Sequence, residues 1–363
     1  MRLAAIASTL ASVLCVAVFG AIFWQKSLLP APTPAQAAAP TEGQAPGPVV
    51  TSMESEATAP AAATESPAAF AQASPAPAAS ASPPLPAAMA SSCSNPNALG
   101  VARVVEIDTT GGPGFGFEHF KSHDFLREGE VVLTFDDGPW PKNTPAVLAA
   151  LQAHCTKAIF FPIGTHATYE PGILKQVAAA GHAVGSHTWC HQDLSKTKGK
   201  CLINGKVQAV DYDPKDEIEK GISAVRWAAG APTAPYFRFP ALRQPQELVD
   251  YLGKRNIAIF STDMDSFDFK MRKPEQVRQS IMAKLKKHGK GIVLMHDFQH
   301  ATAEAAMDLL NDLKAGGYKV VFMKPKFAVQ TLPEYDDQVL KLVKGPGGGD
   351  ARPTSSVVKT IAE

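Results

Sequence analysis

Val131-Val132-Leu133-Thr134-Phe135-Asp136-Asp137-Gly138-Pro139 is the stretch on which the fold turns. An unbroken apolar and β-branched run, closed by Gly-Pro, reads as a short strand buried on both faces, because a strand with one wet face would alternate. Six further runs share this character: Ala158–Pro162, Ala183–Ser186, Tyr236–Phe239, Ile257–Ser261, Gly291–Met295 and Lys319–Met323. Helical patterns separate them at Thr144–His154, Glu170–Ala180, Asp216–Ala229, Pro245–Arg255, Pro274–Lys287 and Thr302–Ala315. Gly181, Gly230 and Gly316 stand where left-handed C-caps are expected. Strand–helix alternation with continuous apolar strands calls for a parallel sheet covered by helices, closed as a barrel or left open.

Polar residues decide between the two. Asp136 and Asp137, His187 and His191, Arg238, Asp265 and Asp268, and His296 with Asp297 all fall at C-terminal strand ends. Side chains from five strand ends converge readily only at the mouth of a barrel. The expected fold class is therefore α/β, a distorted (β/α) barrel with about seven parallel strands.

This domain should occupy residues 103–332, roughly 230 residues and enough for one buried core. Ahead of it, Leu3 to Trp24 holds no charged residue and is flanked by Arg2 and Lys26. That run is longer than the ~7–15 apolar residues of a signal-peptide core, so residues 1–28 read as a signal anchor, with a cleaved signal peptide ending near Ala35-Gln36-Ala37 as the alternative. Residues 29–102 are rich in Ala, Pro and Ser, which gives a disordered, semi-extended spacer. The segment 333–363, with Gly345-Pro346-Gly347-Gly348-Gly349, reads as a disordered tail. A net charge of +1 without a dense basic patch excludes nucleic acid as an expected partner.

Five cysteines are present, with Cys15 inside the apolar run. An oxidising compartment would allow one bridge among the others, with Cys190–Cys201 the first candidate pair and buried free thiols the competing reading.

Asp136 and Asp137 point different ways at a strand end, so one suits a metal ligand and the other a base; a solvated Asp-Asp-Gly-Pro turn is the bland alternative. His187 and His191 are four apart, a spacing that one helical turn brings to one face. With Asp137 they make a two-histidine, one-carboxylate set for a divalent cation, Zn²⁺ or else Co²⁺, Mn²⁺ or Ni²⁺, leaving positions for water and substrate. His119 and His123 repeat the spacing but precede the first strand and lack a third ligand, so a surface helix with two solvated imidazoles is expected there. His154, His166, His182, His288 and His300 stand alone and read as surface or hydrogen-bonded core residues.

These residues carry a resemblance. Thr134-Phe135-Asp136-Asp137-Gly138, His187 to His191, Arg238-Phe239-Pro240, Asp265-Ser266-Phe267-Asp268-Phe269 and Leu294-Met295-His296-Asp297 follow in order the five motifs of the polysaccharide deacetylases of carbohydrate esterase family 4, with their nodulation-type deacetylase domain. The resemblance spans roughly Glu130 to Met323. It implies Asp136 as general base, Asp137, His187 and His191 as metal ligands, and Arg238 as the group that orients Asp136. His296 would be the general acid, held protonated by Asp268, while Ala241, Phe269 and Leu294 would face the substrate. Two positions depart from the family: Ala241-Leu242 replaces Tyr-Gly after the third motif, and Phe269 replaces Trp, removing an indole donor. Arg243 is additional and reads as a solvated cation.

The implied activity is removal of N-acetyl groups from N-acetylglucosamine in a glycan, peptidoglycan or chito-oligosaccharide, by a monomeric exported enzyme on the outer side of the cytoplasmic membrane, with a single-pass anchor where the apolar run is retained. A metal amidase for a small non-sugar amide, and a catalytically silent wall-binding barrel, are the competing readings.

Overall fold

The computed structural model describes Cys93, residues 95–203 and residues 206–344. The apolar run Leu3–Trp24, most of the spacer and residues 345–363 lie outside the described residues. Among the described residues no helix is long and apolar enough to cross a membrane.

Twelve strands are described: β1 (Arg103–Ile107), β2 (Gly114–Phe115), β3 (Glu130–Asp136), β4 (Ile159–Phe161), β5 (Ala183–Val184), β6 (Lys198–Ile203), β7 (Lys206–Asp211), β8 (Tyr236–Phe237), β9 (Ala258–Phe260), β10 (Met264–Asp265), β11 (Gly291–His296) and β12 (Lys319–Pro325). β3 is the hub, pairing in parallel with β11 along its length, with β12 at its start and with β4 at its end. β1 extends the sheet beyond β12, β5 beyond β4 and β10 beyond β11, all in parallel. A second parallel sheet runs β2-β9-β8, and a bridge between Ser186 and Phe237 joins it to the end of β5. The result is an α/β fold with a mostly parallel sheet; β6 and β7 form a separate antiparallel hairpin.

All seven residues of β3 are buried, as a strand covered on both faces requires. Alternation then sorts its side chains. Val131, Leu133 and Phe135 pack with Val147 and Leu151 of the helix Asn143–Ala153 and with Leu309 and Leu313 of the helix His300–Ala315. Val132 joins the opposite core, with Phe161, Tyr236, Phe260 and Ile292. Thr134 and Asp136, of the same parity as Val132, project to that side, and in register with them on β11 lie Leu294 and His296. Period two on two neighbouring strands thus delivers a carboxylate and an imidazole to one end of the interior.

Several expectations need correction. Folded structure begins before residue 103: Gly100 N–H donates to the His154 carbonyl, Ala102 N–H to that of Val320, and Cys93 is bonded to Cys155. It also continues past Leu332 into a helix, Pro333–Lys344, whose Val339 and Val343 pack against Ala224. That helix has Pro at its start, acids in its first turn, lysines in its last and an apolar i, i+4 pair, all helix signals masked by the glycine-rich sequence behind it. Two disulfides form rather than one, Cys93–Cys155 beside Cys190–Cys201. Gly181 and Gly230 take left-handed φ as expected, but Gly316 is right-handed at −76° and Gly317 carries the turn at +76°.

Candidate functional site

Arg238 organises the base of the site. It is fully buried, and each of its three nitrogens donates: Nη1 reaches Thr134 Oγ1 and Asp136 Oδ1, both at 2.7 Å, Nη2 reaches the Ser261 carbonyl at 2.9 Å, and Nε the Phe260 carbonyl at 3.3 Å. Its guanidinium lies 4.4 Å from the Phe161 ring centroid. A buried cation is tolerable only with such a complement of acceptors, and the arrangement fixes Asp136 Oδ1 while leaving Oδ2 free of this fork.

Asp137 turns the other way because its backbone is left-handed, φ 72°. Its Oδ1 lies 3.5 Å from both His187 Nε2 and His191 Nε2, and it is buried without a hydrogen-bond partner. The ligand atoms of Asp137, His187 and His191 all fall within 4.8 Å of one another. A tetrahedral cation with bonds of about 2.0–2.2 Å sets its ligands about 3.3–3.5 Å apart, so the three residues present fit a divalent metal. The orphaned oxygen points to the same conclusion, since a buried carboxylate oxygen without a partner is costly. His187 Nδ1 is bound to the Arg238 carbonyl at 2.6 Å, which aims Nε2 at Asp137. Burial, opposed by Asp136, brings the His187 pKa down to about 4, so its imidazole is neutral near pH 7, as a ligand must be. Burial also pushes the Asp137 carboxyl up, but the surrounding imidazoles, His191 foremost, outweigh it and hold it below the usual range.

The histidine pair is not on a helix. Residues 187–191 form a loop in which Thr188 and His191 are left-handed, and the rings still meet with centroids 4.9 Å apart. Glu217 holds this loop: its Oε2 accepts the Cys190 N–H at 2.8 Å and its carbonyl accepts the Trp189 N–H. Burial pushes the Glu217 carboxyl up to about 7. Cys190 is tied to Cys201 on β6.

Across the site, His296 Nδ1 lies 2.6 Å from Asp268 Oδ1, and the His296 N–H donates to Asp268 Oδ2 at 2.8 Å. Thr302 Oγ1 donates to the same Oδ2. Burial lowers the His296 pKa, but the hydrogen bond and charge of Asp268, with Asp137 and Asp136, prevail and push it up to about 9. With Nδ1 held, Nε2 faces the metal group, 4.0 Å from Asp137 Oδ2. Phe269 stands edge-on to His296 at 5.7 Å and is 48% exposed, and Leu294 is buried one step below His296 on β11. Ala241 is exposed in a turn after Arg238, with left-handed φ 51°. Arg243 is paired with Asp193 rather than free.

The other pair, His119 and His123, is exposed but not on a helix: His119 lies in a turn and His123 in irregular chain, and His119 Nδ1 meets Ser261 Oγ at 2.7 Å. Among the residues not singled out as candidates, Asp297 is 1% exposed, accepts from Gly138 N–H at 3.1 Å and from Thr144 Oγ1, and is pushed up to about 7 by burial. A Cβ on Gly138 would sit 2.2 Å from Asp297 Oδ2, so glycine is required where the carboxylates leave β3. In the sequence Asp297 stands out only as the polar residue that follows His296 at a strand end and closes the fifth motif, with no role attached. His166 Nδ1 contacts the Asp137 carbonyl at 2.7 Å and steadies the same turn.

Residues 125–259 match the family model described as polysaccharide deacetylase. Among curated relatives, the peptidoglycan-N-acetylglucosamine deacetylase PgdA of Listeria monocytogenes serotype 1/2a (strain 10403S) is 32% identical over 197 residues, 53% of this chain and 37% of that protein. This chain therefore spans little more than a third of that relative's length. The chitooligosaccharide deacetylase of Bradyrhizobium sp. (strain ANU 289) is 30% identical over 167 residues, 46% of this chain and 70% of the relative. Among solved structures, the Bdellovibrio bacteriovorus peptidoglycan deacetylase Bd3279 superposes with a TM-score of 0.52 at 30% identity, covering 61% of this chain and 58% of that one. With the five ordered motifs brought to one end of a parallel sheet, and with a relative matched over most of its own length, the chain belongs to the polysaccharide deacetylase family.

Proposed function

We propose that this chain is a metal-dependent hydrolase that removes the N-acetyl group from N-acetylglucosamine in a glycan, on a distorted (β/α) barrel. The observation that carries the reading is a three-ligand metal group set between two differently tuned acid–base residues: Asp136 anchored by Arg238, and His296 anchored by Asp268. A divalent cation, Zn²⁺ by the ligand set, would be held by Asp137, His187 and His191 and would supply Lewis acidity and a more acidic water. Asp136 accepts the proton of the water that attacks the acetyl carbonyl, and Arg238 keeps the Asp136 carboxylate aimed. The Ala241 N–H serves as donor to the developing oxyanion in this reading. His296 then gives its Nε2 proton to the amine as the C–N bond breaks, releasing acetate and a free amino sugar. The motif residues and the named activities of the relatives support this assignment together; a chain working outside the cytoplasmic membrane, on peptidoglycan or chito-oligosaccharide, is the setting that fits it.

The test is acetate release by the metal-loaded chain from peptidoglycan, from chito-oligosaccharides and from simple acetamides. Release from either glycan is expected, with simple acetamides poor substrates. Equal or better turnover of the acetamides would favour a small-amide amidase, and no release from any of the three would favour a silent binding protein.

A pH prediction follows from His296. Its protonated form is the acid, and a pKa pushed up to about 9 keeps that form populated until the pH rises through 9. The alkaline limb of kcat should therefore fall near that value. Asp268→Asn removes the charge that opposes burial, so the limb should move down by more than one pH unit, with a smaller change on the acid side. An unmoved alkaline limb in Asp268→Asn would take His296 out of the acid role.

A further inference from the structure

On the helix Pro214–Ala229, Glu217 holds the metal loop near one end, and Ser223, Arg226 and Trp227 follow toward the other, with Gly230 as its cap. Spaced i, i+3, i+4 and i+7 from Ser223, these four share one face, the pattern by which a helix ordinarily buries an apolar stripe. Here the stripe is a serine, an arginine, a tryptophan and a glycine, and it is not filled. The helix Pro333–Lys344 packs on this one through Val339 and Val343 against Ala224. Beside that contact a cavity of about 450 Å³ remains, walled by the four residues on one side and by Asp336 and Leu340 on the other. Its volume lies in the ~300–1,000 Å³ range of small-ligand sites. Arg226 stands roughly 14 Å along the helix axis from Glu217, so the cavity is separate from the metal group.

Two polar atoms on the helical wall are withdrawn from solvent with no partner. Ser223 is 1% exposed, and its Oγ, which within a helix can donate to the carbonyl four residues back, makes no hydrogen bond. Arg226 Nη1 is buried and equally unanswered. Among the described side chains that are not exposed, Asp137 and Arg226 are the charged groups with a buried atom left unpaired, and Asp137 is the residue assigned to the metal. Unpaired charge at a surface is ordinary. A guanidinium nitrogen withdrawn from water is costly, because it has lost solvation without gaining an acceptor. Arg226 lies in the last turn of its helix, where the dipole favours a cation, but the dipole brings no acceptor to Nη1. Asp336 lines the same cavity without pairing with Arg226; Thr331 Oγ1 donates to its Oδ2 at 2.8 Å and leaves Oδ1 open.

We propose that this cavity is a second binding site, for the carboxylate end of a small peptide. The Arg226 guanidinium and the Ser223 hydroxyl hold the terminal carboxylate, Asp336 Oδ1 accepts the N–H of the same residue, and Trp227 and Leu340 border its side chain. Arginine suits this task because its planar fork donates two parallel hydrogen bonds to a carboxylate. A bare anion would engage the arginine but set a negative group against Asp336, and a neutral sugar would leave the Arg226 charge unanswered. A peptide end brings an acceptor for one wall and a donor for the other. No residue of the cavity belongs to the metal group, so the site stands whether or not the chain deacetylates a glycan.

The experiment is equilibrium dialysis of three labelled probes against the metal-loaded full chain: trialanine, trialaninamide and acetate. Trialanine should bind about 10- to 100-fold tighter than either of the others, the range of a hydrogen bond to a charged group. Arg226→Gln should erase that preference, Ser223→Ala should weaken trialanine binding by about 2- to 10-fold, and Lys286→Gln should change neither. Trialanine should raise the melting temperature of the unsubstituted chain and leave that of Arg226→Gln where it was. Without peptide, Arg226→Gln should melt no lower than the original chain, since it removes a buried unpaired donor, whereas a purely structural arginine would lower it. Should Arg226→Gln fail to fold, Ser223→Ala carries the test. Equal affinities for trialanine and its amide would overturn the proposal, and so would acetate binding as tightly as trialanine, which would reduce the site to an anion hole. Loss of trialanine binding in His187→Ala would place the peptide on the metal and overturn it as well.

Discussion

Asp137→Ala and His187→Ala are each expected to lose the divalent metal and to lower kcat/KM for glycan deacetylation by about a thousandfold or more. The loss is large because Lewis-acid assistance supplies several kcal/mol to hydrolysis, and each 1.4 kcal/mol is a factor of ten. Asp137 Oδ1 has two imidazole nitrogens at 3.5 Å and no hydrogen bond, so nothing else in the described structure accounts for its burial. Removing the orphan carboxylate relieves a cost to folding, and Asp137→Ala should stay folded as judged by its thermal transition. Metal content by mass spectrometry and kcat/KM on the same preparations are the two readouts. Stoichiometric metal with full activity in either variant would return attention to His119 and His123, whose replacement should change neither readout.

The second large effect belongs to Asp136→Asn. It should keep its metal and lose about 10²- to 10⁴-fold in kcat, the usual contribution of a positioned base. The amide still offers an oxygen to Arg238 Nη1, so the fork at 2.7 Å can survive, but Arg238 is left as a fully buried cation with its charge unpaired. Breaking one side of a buried pair costs stability, of order 3–5 kcal/mol for full removal of a partner and less where a hydrogen bond persists. A lower melting temperature should therefore accompany the kinetic loss, and the rates must be read well below it. Wild-type rates in a folded, metal-loaded Asp136→Asn would remove Asp136 from the base role.

These residues were legible in the sequence because two signals coincided. Continuous apolar runs marked the strands, and polar residues fell where those runs stopped. Val131–Phe135 read as a strand buried on both faces, and β3 is one, so Asp136 and Asp137 were placed correctly at its end. The pair His187 and His191 was found for a reason the structure does not support: the spacing suggested a helical turn, whereas left-handed residues at Thr188 and His191 fold a loop to the same effect. Four-residue spacing measures proximity along several backbone paths, and only one of them is helical.

The missing parts were those with no periodic signature. β2 and β10 are two residues long, too short to show alternation. β7 is mostly exposed on both faces, so the hairpin carries no hydrophobic pattern. Glu217 and Asp297 support the site by accepting from loop N–H groups, and no composition rule distinguishes such an acid from a solvated one. The Cys93–Cys155 bridge joins residues 62 apart, one of them in the Pro/Ala-rich approach, where sequence alone suggested no structure.

The site's wide spread along the chain has a consequence for its biosynthesis. Arg238 reaches Thr134 across 104 positions, and Asp297 reaches Gly138 across 159. Closing loops of that size precedes any reward from the contacts they bring, so such contacts form late. The metal trio closes only when residues 137 to 191 are folded, its base is fixed only when residue 238 arrives, and its acid comes from residue 296. A polypeptide that stops short of residue 296 therefore lacks the imidazole that closes this group, whatever has folded before it.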